Sequence, residues 1–143
     1  MYIRPAFALI ELIFVIVILG ILAAIAIPRL SATRDDAAVV RAGKEISLAI
    51  QEIASYFTTH ETFNAITTMT NVRFKEGDDD LSLGVRYVVG GVDCVQLQTQ
   101  GDVNLTVTNL SGVTQPLCVS VQNLVATRDL NRTYRLLGSS VNF

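Results

Sequence analysis

Residues 7–28 read Phe-Ala-Leu-Ile-Glu-Leu-Ile-Phe-Val-Ile-Val-Ile-Leu-Gly-Ile-Leu-Ala-Ala-Ile-Ala-Ile-Pro, an apolar run interrupted by one ionisable residue, Glu11. As a helix, Phe7 to Ile27 is roughly 31 Å long, the thickness of a bilayer's hydrocarbon core. Residues 7–28 are therefore expected to form a transmembrane helix segment. A carboxylate inside such a segment must be neutralised, paired or used, because an isolated charge in hydrocarbon is costly. What becomes of Glu11 decides how the rest of the chain is read.

Upstream, Arg4 is the only charged side chain, while Arg29 and Arg34 follow the span closely, so local charge leaves the orientation open. Three readings of this start compete. Ala24-Ile25-Ala26 offers the small-x-small cleavage site of a secretory signal, yet the run is long for one and an acid serves no purpose there. A plain membrane anchor is the second reading, and an anchor that assembles with copies of itself is the third. Gly20 weakens the helix locally and lets a neighbouring backbone approach, and Pro28 cannot donate a backbone hydrogen bond. Both are expected to be points of helix flexibility, with a kink or a loosened turn at Pro28.

Downstream, Thr33-Arg34-Asp35-Asp36 either caps a new helix or decorates the old one. Val39, Ile46, Ile50, Ile53 and Phe57 then recur at helical steps, with Gly43 bridging the longest gap. Residues 29–58 are expected to continue the spine helix as an amphipathic segment whose stripe needs a cover. Residues 59–82, rich in Thr, Asn and Asp, read as a connecting loop with one short turn. Residues 83–143 read as an antiparallel β-sheet head. Gly90-Gly91 after Val85–Val89 signals a two-residue hairpin. Alternation through Val95, Leu97, Leu105 and Val107 predicts a second hairpin, with Leu97 opposite Leu105 and Val95 opposite Val107. Leu117, Val119 and Val121 suggest a further strand, and residues 133–136 a short last one. The expected class is α+β: a long N-terminal helix packed against a small antiparallel sheet.

Composition narrows the function. The net charge of −2, without a basic cluster, and the absence of Trp argue against nucleic-acid binding. Half of the residues are hydrophobic, but many of them precede Arg29, so the remainder holds only one small domain. His60 is the sole histidine, no nucleophile elbow or glycine-rich phosphate loop is present, and no enzyme activity or cofactor is expected. Asp78-Asp79-Asp80 is a weak calcium candidate that lacks the spaced oxygen ligands of a recognised loop and reads more readily as a solvated turn. Asn104, Asn109 and Asn131 fit the short N-glycan acceptor pattern, which arises often by chance. Cys94 and Cys118 are the only cysteines, and an even pair in an exported head points to a disulfide. In a plain meander they would sit two strands apart, near 10 Å and beyond bonding reach. Two separate thiols therefore remain the alternative.

If residues 1–6 were removed, Glu11 would lie about 6 Å along the helix from a new amino terminus at Phe7. Copies packed with a matching stagger would place one carboxylate beside the next copy's ammonium group, each satisfying the other. Ala6-Phe7-Ala8-Leu9-Ile10-Glu11-Leu12, followed by Gly20-Ile21-Leu22-Ala23-Ala24-Ile25-Ala26-Ile27-Pro28, resembles the start of the type IV pilin and type II secretion pseudopilin family. The resemblance covers residues 4–36; the head shares only the general plan. It implies a leader over residues 1–6, cut between Ala6 and Phe7 by an inner-membrane prepilin peptidase. It also implies N-methylation of Phe7 and a role for Glu11 in subunit assembly. Ala6, after Pro5, stands where the family usually has glycine. The implied partners are copies of itself, related pilin-like subunits, and a membrane platform driven by a cytoplasmic ATPase. The implied location is the bacterial inner membrane, single pass, with the N-terminus cytoplasmic and the head periplasmic. The implied function is structural: a pseudopilus subunit supporting export of folded proteins, or a type IV pilus subunit for adhesion, motility or DNA uptake. From the residues alone, a monomeric membrane-tethered binding module remains a third expectation.

Overall fold

The computed structural model describes residues 5–136. Residues 1–4 of the expected leader and 137–143 of the expected head lie outside the described residues. The chain divides into two compact units, one ending at Ala37 and the other beginning at Ala38.

Helix α1 runs from Pro5 to His60. The apolar run contains nothing but Gly20 and Pro28 to break it, and the backbone is helical through both. It is also helical through Thr33–Asp36, so those residues lie on the existing helix and do not start another. In the second unit the expected stripe is buried: Ile46, Ile50, Ile53 and Phe57 are shielded, with Ala42, Ala49 and Ala54 beside them. The helix stops where Glu61 turns to a φ of 56° and donates its N–H to the Phe57 carbonyl at 2.7 Å.

The connecting loop contains one short helix, α2, Ile66–Met69. Asp79 accepts hydrogen bonds from the Thr67 N–H and hydroxyl, and its carbonyl accepts from the Ile66 N–H. At the other end, Thr70 Oγ1 donates to Glu52 at 2.5 Å, tying α2 back to α1.

Among the described residues the sheet is a four-stranded antiparallel meander, ordered as in the sequence. Its strands are β1 (Val85–Val89), β2 (Val92–Gln100), β3 (Asn104–Asn109) and β4 (Thr133–Arg135). Gly90 and Gly91 form the first turn with φ of 58° and 82°, the left-handed pair that a tight hairpin needs. The second hairpin corrects the expected register. Leu97 faces Val107, Leu105 faces Thr99, and Val95 faces Asn109. The loop is Gly101–Val103, one residue further along than expected at each end. Because that slip moves partners by two positions, every side chain keeps its face, and Val95, Leu97, Leu105 and Val107 are all buried.

The larger correction concerns residues 116–127, which form a helix, α3 (Pro116–Thr127), rather than a strand. Pro116 occupies the first turn, where its missing N–H is not needed. The buried residues are Cys118, Val121 and Val125, a helical spacing that the alternation of Leu117, Val119 and Val121 concealed. Helix α3 packs on β2 and on α1, and one core joins the α1 stripe, the inner sheet face and α3. A Cβ on Gly43 would lie 2.6 Å from Leu124 Cδ2, so the longest gap in the stripe is the notch that receives α3.

This placement also explains the cysteines. Cys118 is on α3, above the sheet, and not two strands away from Cys94. The two are bonded, with Cα atoms 5.5 Å apart.

Candidate functional site

The N-terminal unit carries the sequence's strongest functional signal. Leu9–Ile27 is long and apolar enough to cross a membrane, with a mean hydropathy of 3.1 and none of it buried within the chain. That is compatible with a single-pass membrane protein, and a signal sequence shares the property. Leu9, Ile10, Leu12, Phe14, Ile25 and Ile27 are each about 60% exposed or more. Glu11 is exposed among them, and among the described residues no hydrogen-bond or ion-pair partner engages its carboxylate. The Ala6–Phe7 peptide bond falls in the first turn of α1. A Cβ added at Gly20 would meet no atom within 4 Å, so nothing inside this chain requires a glycine there. Gly43 is the contrast, because its missing side chain is occupied by Leu124.

The head's polar groups are engaged chiefly in holding its own elements. Arg86 grips Asp78 through two hydrogen bonds of 2.7 and 2.8 Å, and Asp93 bridges Arg86 and Lys75 at 3.2 and 2.7 Å. The Arg86 guanidinium holds the Asp78 carboxyl below the ordinary aspartate range. Asp79 caps α2, and Asp80 accepts from the Ser82 N–H; hydrogen bonding from Ser82, its side chain first and its backbone second, keeps the Asp80 pKa low. The calcium candidates Asp78, Asp79 and Asp80 thus face three separate partners. Among the described residues no group of three or more His, Cys, Asp or Glu side chains could hold a metal ion. His60 lies at the end of α1, stacked on Tyr56 with ring centroids 4.0 Å apart.

Sequence reading missed one pair that locks the helix to the sheet. Tyr87 Oη on β1 donates to Glu45 on α1 at 2.5 Å, and Arg41 donates to the other carboxylate oxygen at 2.7 Å. Burial pulls the Glu45 carboxyl upward, but the hydrogen bonds from Tyr87 and Arg41 outweigh it and leave the group below its ordinary value. Burial and the adjacent carboxylate push the Tyr87 phenol well above its own. A surface groove of about 700 Å³ is open and lined by Glu61, Asn64, Asp79, Asp80 and Asp102 among others. It presents carboxylates and amides, with no cysteine, histidine or cation along its wall.

Comparison with family models, with curated proteins and with solved structures gave no match.

Proposed function

We propose that this chain is a structural subunit of a helical filament assembled from the bacterial inner membrane, of the type IV pilin and pseudopilin kind. Within that kind we assign it to the short periplasmic pseudopilus that supports export of folded proteins, because its head is small. The observation that carries the reading is Glu11: an unpartnered carboxylate on an apolar helix whose sides are all exposed. In lipid that charge needs a cation, and the amino terminus of a second processed copy, at Phe7, supplies one. Gly20 adds open space where a second helix can approach closely. The buried disulfide suits an oxidising compartment and supports an exported head, and in this reading Ala6–Phe7 is cytoplasmic.

The test is the N-terminal mass of the membrane form. A mature chain starting at Phe7 with one added methyl group is expected, and a mature start at Ile27 overturns the proposal. Glu11→Ala should abolish incorporation into filaments while the head remains folded. Unchanged assembly would instead favour a tethered monomer.

A further inference from the structure

The two edges of the sheet are finished differently. On the β1 side, the Lys75 N–H donates to the Arg86 carbonyl at 2.8 Å, and Asp78 accepts from the Arg86 N–H at 3.1 Å. The segment before β1 therefore closes that edge at Arg86. On the β4 side, Val107 N–H donates to the Arg132 carbonyl and Leu136 N–H to the Val103 carbonyl. With Leu105 opposite Tyr134, this ladder turns the N–H and C=O groups of Thr133 and Arg135 away from β3. No described group bonds to them.

An open edge is an invitation to another chain, and natural sheets usually cover it. Charge marks this one as selective. Arg135, on β4 itself, is exposed without an ion partner. The segment that closes the β1 edge has the opposite sign: Glu76, Asp79 and Asp80 are exposed and none is paired with a cation. The Asp79 and Asp80 carboxylates hold only neutral donors.

We infer that the β4 edge of one head docks on the Glu76–Asp80 loop of a second copy, the edge N–H groups and Arg135 donating to its carboxylates. The inference rests on the filament reading and adds to it a head-to-head contact. Two β4 edges facing each other would bring arginines together. Edge against loop instead leaves a free edge and a free loop at the ends of every pair. Such a heterologous contact continues into a helix and does not close into a dimer.

The experiment uses the full chain in its membrane, as two differently tagged copies treated with a short bismaleimide. Arg135→Cys in one copy and Glu76→Cys in the other should give mixed-tag dimers, and two Arg135→Cys copies should give none. Arg135→Glu should weaken assembly about fivefold or more, and Arg135→Glu with Glu76→Lys in the same chain should restore it. A parallel crosslink within Leu9–Ile27 separates the two ideas. If the spans crosslink but Arg135→Cys and Glu76→Cys do not, the head contact is wrong and the filament reading stands. If dimers through two Arg135→Cys copies dominate, the edge pairs with itself and the inference is overturned. If neither the spans nor the heads crosslink, both proposals fall.

Discussion

At the scale of single residues, the link between Glu45 and Tyr87 fastens α1 to the sheet across a sequence separation of 42. Tyr87→Phe leaves a half-buried carboxylate short of a donor, and chemical denaturation should show a loss of about 1–2 kcal/mol. Glu45 and Asp78 both have folded pKa values below their usual ones. Their contribution is therefore complete above the unfolded carboxylate range and is lost as pH falls through the folded values. Stability should begin to fall as pH drops into the ordinary carboxylate range and keep falling below it, and Glu45→Gln should flatten that slope, as denaturant midpoints across pH would show. Gly43 gives a volume test. Gly43→Leu should destabilise by about 1–3 kcal/mol through overpacking against Leu124, and Leu124→Ala in the same chain should recover part of it. Glu11 stands out in the sequence because an acid inside an apolar run is visible from its immediate neighbours alone. The Glu45–Tyr87 pair was not, because nothing local marks which tyrosine will cross to which helix.

At the scale of elements, α3 shows where pattern reading fails. Three apolar residues at alternate positions fit a strand, but Pro116 followed by buried positions 118, 121 and 125 fits a helix. The short window satisfied both periods, and packing into the Gly43 notch decided between them. The misreading had a further effect, since it placed Cys118 on the sheet and made its bond to Cys94 look too long. By contrast, the first hairpin was legible because a two-glycine turn fixes its conformation and its nearest pairs, Val89 with Val92 and Val88 with Asp93, before a bulge shifts the register at Tyr87. The second was legible only in its face, because a longer loop leaves the register to packing. The disulfide closes a loop with a sequence separation of 24, worth about 3–4 kcal/mol in the chain-entropy model. Reducing it, or replacing both cysteines with serine, should lower the urea midpoint accordingly. Because it is α3 that the bond ties to β2, hydrogen exchange should accelerate first in Pro116–Thr127.

At the scale of the whole molecule, the two units differ in what they still lack. Among the described residues every buried hydrophobic residue of the core lies at or beyond Ala42, so the second unit covers its own apolar surface. In the first unit, among the described residues, the side chains from Leu9 to Ile27 have no cover and the charge at Glu11 has no counter-ion. Folding and association are then separable properties with different addresses in the sequence. A chain beginning at Ala38 should fold cooperatively, keep the Cys94–Cys118 bond and remain a soluble monomer at micromolar concentration. An exposed edge of only Thr133–Arg135, with screened surface charges, is too small to hold two heads together alone. The full chain in detergent or membrane should associate. Analytical ultracentrifugation of the two, with near-ultraviolet circular dichroism to follow the fold, makes the comparison. If the head alone unfolded, the N-terminal helix would have to contribute to the core, contrary to the burial pattern. If the head alone formed oligomers as readily as the full chain, association would reside in its surface, and Glu11 would need another explanation.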